Sequence, residues 1–132
     1  MTDNVQLIRD VFDAFVRGDS ASIVATVSPD VDWRHPGGPE IPYGGAYKGR
    51  DGVSRFFARI GEAVEVKSWE PRHVLAASAD EVVATGAWSG VAKPTGKSFA
   101  SDWGMVFGMR DGHITSFRVV EDTAQLSAAF RR

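Results

Sequence analysis

The chain predicts an α+β domain, with helices early and strands late, on three observations. Apolar residues recur at helical spacing in two early stretches and again around residues 53–64. Beyond residue 64 they alternate in four long runs that end at residue 121. A final capped stretch returns to helical spacing. That order favours a curved antiparallel sheet covered by three helices of the N-terminal half and one short C-terminal helix.

Thr2 or Asp3 can cap a first helix whose apolar positions are Val5, Ile8, Val11, Phe12, Phe15 and Val16, and Gly18 supplies its stop. Asp19 or Ser20 caps a second, with Ile23, Val24 and Val27 on its inner face and Pro29 past its end. Val31, Trp33 and His35 then share one face of a short extended run, because strand side chains alternate. Six glycines and three prolines between Pro36 and Gly52 predict an ordered loop, which holds both tyrosines, Tyr43 and Tyr47. A third helix carries Val53, Phe56, Phe57, Ile60 and Val64 as its stripe.

Residues 65–78, 81–93, 97–110 and 113–121 read as a four-strand antiparallel meander. Asp111-Gly112 is the strongest turn signal, since tight hairpins demand positive φ. Pro71 belongs at an edge or a bulge. Asp122-Thr123 caps a last helix running through Phe130.

The 132 residues fit one domain, 1–132, and 43% hydrophobic with 24% charged residues is the composition of an ordinary folded globule. The 15 basic residues are scattered among 17 acidic ones, which argues against nucleic acid as a partner. With no cysteine, disulfides, thiol catalysis and sulfur-ligated zinc are excluded. The start is polar and every apolar run is short. No secretory signal and no membrane span or membrane partner are expected, and cytoplasmic residence is the default. His73 and His113 stand at no metal-ligand spacing from His35, so no metal is expected.

Asp30-Val31-Asp32-Trp33-Arg34-His35-Pro36-Gly37-Gly38 is the stretch richest in chemistry. Its imidazole looks where Trp33 looks. In a cavity His35 is a proton-transfer group; in a solid core it is a hydrogen-bonded filler.

Five segments carry a family resemblance: Arg17-Gly18-Asp19, Pro29-Asp30-Val31-Asp32-Trp33, Tyr47-Lys48-Gly49-Arg50-Asp51-Gly52-Val53, Arg110-Asp111-Gly112-His113-Ile114, and Arg118-x-x-Glu121-Asp122-Thr123. In this order and spacing the chain resembles the ketosteroid isomerase and SnoaL-like polyketide cyclase branch of the NTF2-like superfamily. The resemblance implies a cone of three helices over a curved sheet, with a mostly apolar pocket and no cofactor. It also implies a homodimer paired through the outer face of the sheet, where Trp69 and Trp88 would lie. The fold hosts isomerases, cyclases, epoxide hydrolases and plain binding modules, so it does not name a reaction.

By that resemblance His35 falls where the isomerases keep their proton-shuttling aspartate. Val11 and Met105 stand at the positions of the isomerase oxyanion donors, which speaks against steroid isomerisation by that mechanism. Asp102, Arg118 and Asp122 are only loosely comparable with the Asp-Arg-Asp set of the epoxide hydrolases. Alternation puts Phe117, Val119 and Glu121 on one face of the last strand and Asp122 on the other. Glu121 or Asp122 is therefore the acid that would assist His35, Asp122 having the competing role of helix cap. Phe12, Phe15, Trp33, Tyr43, Tyr47, Trp103, Met105 and Phe107, with Phe117 and Val119, would line the pocket. Two functions remain open: an isomerase or cyclase moving a proton next to a carbonyl of a small hydrophobic molecule, or a non-catalytic ligand-binding or dimerisation module.

Overall fold

The computed structural model describes residues 3–132. Helix α1 (Asn4–Arg17) is capped by the Asp3 carboxylate, which accepts the N–H groups of Val5 and Gln6, and is ended by Gly18 at φ 72°. Thr2, the other candidate cap, lies outside the described residues. Helix α2 (Ser20–Val24) is capped by Asp19 but is shorter than its apolar pattern suggests. Val27 and Pro29 already belong to β1 (Val27–His35), whose first residues pair with a strand from the far end of the chain. Pro29 falls where that pairing shifts register, between Val27 and Asp32, and its missing N–H breaks no ladder there.

The Gly- and Pro-rich stretch contains a strand of its own. β2 (Gly45–Lys48) pairs antiparallel with β1, setting Tyr47 opposite Trp33. Gly49, at φ 70°, turns the chain directly into α3 (Gly49–Ala63), which therefore begins four residues before Val53. Four long strands follow: β3 (Val64–Ser78), β4 (Glu81–Ala92), β5 (Ser98–Arg110) and β6 (His113–Glu121). The β5–β6 hairpin turns on Asp111 and Gly112, at φ 52° and 74°. Helix α4 (Thr123–Phe130), capped by Asp122, ends the fold and packs on β5 and β4.

The last four strands pair in succession and antiparallel, as their turns suggest. The sheet as a whole corrects the expectation of a curved antiparallel one. It has six strands in the order β2-β1-β6-β5-β4-β3, β1 and β6 run parallel, and it is neither closed nor strongly curled. The parallel pair arises because β1, flanked on one side by β2, takes the final strand β6 as its other neighbour. Pro71 sits on the edge strand β3 at a register shift.

Helix α1 packs on β3 and β4, and α3 on β1, β2 and β3. Val31, Trp33 and His35 all point into the space between, at 0%, 1% and 6% exposure. No helix of the described residues is long and apolar enough to cross a membrane.

Candidate functional site

A cavity of about 60 Å³ lies between the two long helices and the sheet. That is room for roughly four to six water-sized groups at ~10–15 Å³ each. Its helical wall is Val11, Phe12 and Phe15 from α1 and Phe56, Phe57 and Ile60 from α3. The sheet contributes Trp33 and His35 from β1, Trp69 from β3 and Trp88 from β4. Alternation supplies Trp103, Met105 and Phe107 from β5, then Phe117, Val119 and Glu121 from β6. Tyr43 reaches in from the loop between β1 and β2.

Aromatic packing makes the wall rigid. Trp33 stacks on Phe117 with centroids 4.1 Å apart and planes 20° from parallel. Trp69 stacks on Trp103 at 4.7 Å and 15°, and Phe12 sets its edge against both at 5.5 Å. Each such pair contributes about 0.5–1.5 kcal/mol beyond the area it buries. Outside the wall lies a surface groove that shares Phe15, Phe57, Ile60 and Trp69 with it, so these side chains separate the cavity from that groove.

The polar centre is a pair. His35 Nε2 lies 2.6 Å from Glu121 Oε1, with the two side chains only 3% and 4% exposed. Gly37 N–H donates to His35 Nδ1 at 3.0 Å. The ring's own proton therefore resides on Nε2 and is donated to Glu121, which accepts it as a carboxylate. Trp88 Nε1–H donates to the other oxygen, Oε2, at 3.0 Å. Glu121 thus holds two N–H donors in a wall that contains no lysine or arginine. A carboxylate has about four lone-pair sites, so two remain for something else.

The loop after β1 is built to hold Gly37 in place. A Cβ on Gly44 would collide with the Gly37 carbonyl, so the two strands of the loop approach as only glycine allows. The Tyr43 carbonyl accepts the Tyr47 hydroxyl at 3.0 Å, and Arg59 Nη1 donates to that hydroxyl at 3.1 Å. Tyr43 itself sets its ring edge on His35 at 4.9 Å. Burial, and then the charge of Glu121, push its phenol well above the ordinary range.

His35 and Glu121 thus meet, while Asp122 does not join them. Its carboxylate caps α4 through Gln125 N–H at 3.1 Å, outside the cavity. Tyr47 is buried beside the cavity without lining it, its hydroxyl spent on the loop. Phe12, Phe15, Trp33, Tyr43, Trp103, Met105, Phe107, Phe117 and Val119 do stand in the wall, as does Val11. Asp102 turns outward to Arg72 at 3.4 Å, and neither it nor Arg118 reaches the cavity. Trp69 and Trp88, expected on the outer face of the sheet, both turn inward. Sequence reasoning missed Phe56, Phe57, Ile60, Trp69 and Trp88 in the wall, although Trp88 shares the inward alternation of Val82 and Ala84 on β4.

No curated protein matches this chain. Among solved structures, an NTF2-like protein from Burkholderia xenovorans LB400 is 30% identical, covering 97% of this chain and 95% of that one with a TM-score of 0.87. A second NTF2-like protein, from Burkholderia thailandensis E264, is 28% identical over 100% of both chains, with a TM-score of 0.88. TerC, co-crystallised with polyporic acid, is 25% identical over 96% of this chain and 97% of that one, with a TM-score of 0.81. The SnoaL-like domain matches residues 8–117. The chain, an α+β fold with a mixed sheet and an aromatic cavity, belongs to the SnoaL-like family of NTF2-like proteins.

Proposed function

We propose that this protein binds a small hydrophobic carbonyl compound in the aromatic cavity and isomerises or cyclises it by moving a proton next to the carbonyl. The observation that carries the reading is the 2.6 Å contact between His35 and Glu121, the pair of acid–base side chains in a mostly aromatic wall. TerC, crystallised with polyporic acid, supports ligand binding by the fold.

On this reading the roles differ from those expected from the sequence. Both ring nitrogens of His35 are engaged, so it has no lone pair to offer a substrate. Glu121 is the base. It takes a proton from the carbon beside the carbonyl, the C–H electron pair becomes the enolate double bond, and the same carboxyl returns the proton to a different carbon. His35 and Trp88 position the carboxylate and stabilise its charge. The cycle is redox-neutral and needs no cofactor.

Proton exchange tests this directly. Cyclopentanone in D₂O should incorporate deuterium at its α-carbons faster with the protein than in buffer, and cyclopent-3-enone should convert to the conjugated isomer. Glu121→Gln should slow both by about 10²–10⁴-fold. Binding without exchange above buffer would leave a ligand-binding module and end the catalytic reading.

A further inference from the structure

At about 60 Å³ the cavity stands well below the ~300–1,000 Å³ of ordinary small-molecule sites. The surface groove beside it is larger, about 480 Å³, and runs between the end of α1, α2, the end of α3 and the first half of β3. Phe15, Phe57, Ile60 and Trp69 border both spaces and form the partition between them. With the groove included, the site reaches the usual size.

The partition is also the least sealed part of the aromatic wall. Phe15, Phe57 and Trp69 are half-buried, whereas every other aromatic ring of the wall, His35 included, is at most 6% exposed. Phe15 is its centre, packed edge-to-face with Trp69 at 4.9 Å and tilted against Phe57 at 6.1 Å. An aromatic side chain on a helix has two χ1 wells to choose between. Phe15 has room to turn into, since a Cβ on Gly18 or on Gly61, both of which line the groove, would meet nothing within 4 Å.

Beyond the partition the groove offers carbon. Val16 and Val66 line it at 64% and 37% exposure, two of the five large apolar side chains that stand exposed among the described residues. Two such side chains facing one groove mark a surface that something apolar covers. The charges at the groove are already matched: Arg17 is paired with Asp19 at 3.5 Å and Lys67 with Glu65 at 2.8 Å. We propose that cavity and groove are two halves of one ligand site, joined when Phe15 swings aside, and that the ligand is an uncharged molecule whose ring enters the cavity and whose alkyl chain lies along the groove. The proposal rests on the reading of the cavity as the ligand site and narrows its substrate class.

The other occupants fit less well. A lone small ring fills the cavity and leaves Val16 and Val66 in water. An anionic chain would have to draw Arg17 from Asp19 or Lys67 from Glu65. An alkyl chain disturbs neither pair, and each methylene it buries fully is worth about a fourfold gain in affinity.

Gly61 supplies the test, because it lies one turn beyond Phe57 on the same face of α3, in the groove and outside the cavity. No positive φ holds that position to glycine. Gly61→Phe should therefore fold and fill the groove, while Gly61→Ala also gains helical preference and leaves the groove open. The probes are cyclopentanone and 3-hexylcyclopentanone, titrated into methyl-labelled protein. In the wild type the hexyl ketone should displace cyclopentanone and bind about tenfold or more tightly. Its chain-terminal methyl should show NOEs to Val16 and Val66, and its ring protons to Val11 and Val119 of the cavity. The ratio of the two affinities should fall to about one in Gly61→Phe and stay near the wild-type ratio in Gly61→Ala. Equal binding of the two ketones by the wild type, a ratio that Gly61→Phe leaves unchanged, a hexyl ketone that does not displace cyclopentanone, or a chain end that touches neither Val16 nor Val66 would each overturn the proposal. Cyclopentanone α-exchange with no gain from the chain would overturn it and leave the proton-transfer reading standing. The gain and these contacts without α-exchange would keep it and defeat the proton-transfer reading alone.

Discussion

Two acid–base contacts of similar length tie the loop region after β1 to the C-terminal end of the chain. His35 meets Glu121 at 2.6 Å inside the cavity, and Glu40 receives Arg131 through two bonds of 2.7 and 2.9 Å on the surface. By distance they are equivalent. By surroundings they are opposite: the first pair is 3% and 4% exposed, whereas the Arg131 and Glu40 side chains are 61% and 45% exposed. Water and salt screen the surface pair and stand ready to replace either partner. Nothing replaces a partner lost from the buried one. Contact length therefore says little about what a charge pair does, and burial says most of it.

Breaking the buried contact is the sharpest way to expose the difference. His35→Ala leaves the Glu121 carboxylate with Trp88 as its one donor in a wall without a cation, and should cost about 3–5 kcal/mol. Urea unfolding with an unchanged slope would measure it as a lowered midpoint. Trp88→Phe keeps most of the aromatic area and removes only the Nε1–H, so its cost should be smaller, about 1–3 kcal/mol. A Trp88→Phe protein as stable as the wild type would mean that Glu121 depends on His35 alone.

The sequence makes one side of this comparison more legible than the other. Alternation along β6 is enough to turn Phe117, Val119 and Glu121 inward together, and the Val31, Trp33, His35 face follows from the same period. Asp3, Gly18 and the Asp111-Gly112 turn announce themselves because their roles are local. The parallel pairing of β1 with β6 does not, since residues 27–34 and 114–118 meet only through the tertiary fold. β2 is hidden by the glycines and prolines around it. Trp88 escapes for a related reason: period two on β4 divides its residues into two faces without saying which one the helices cover. That the Tyr43 hydroxyl and the indole N–H groups of Trp33, Trp69 and Trp103 find no hydrogen-bond partner could not be read at all, because an absent partner is a property of packing and leaves no mark in sequence.

Tyr43 gives the comparison a pH dimension. Its phenol is raised above the ordinary value of about 10 by burial and then by the charge of Glu121. A raised group contributes stability that is intact below the unfolded-state pKa and lost as pH climbs past it, here from about pH 10 upward. Wild-type protein should lose about 1.4 kcal/mol per pH unit beyond that point relative to Tyr43→Phe, which has no phenol to ionise. The two should differ little near pH 7, since the hydroxyl has no partner to lose. Parallel alkaline melting curves would place Tyr43 outside the low-polarity region that Glu121 occupies.

The surface pair should give the smallest effect of all. Hydrogen bonds from Arg131 hold the Glu40 carboxyl below its usual range. A lowered carboxyl stabilises above its unfolded-state pKa, about 4.3 for glutamate, and loses that contribution as pH falls through the lowered value. Any gap between wild type and Glu40→Gln should therefore be present at pH 7, close in acid, and shrink in salt, because both partners are solvated. At physiological ionic strength the unfolding midpoints should coincide within error. Ketone affinity should not change either, since neither Glu40 nor Arg131 lines the cavity. A midpoint that falls as far as it does for Trp88→Phe would show that this clasp holds the loop bearing Gly37 and Tyr43 in place. The two contacts would then form one mechanical unit, with the exposed pair setting the position of the buried one.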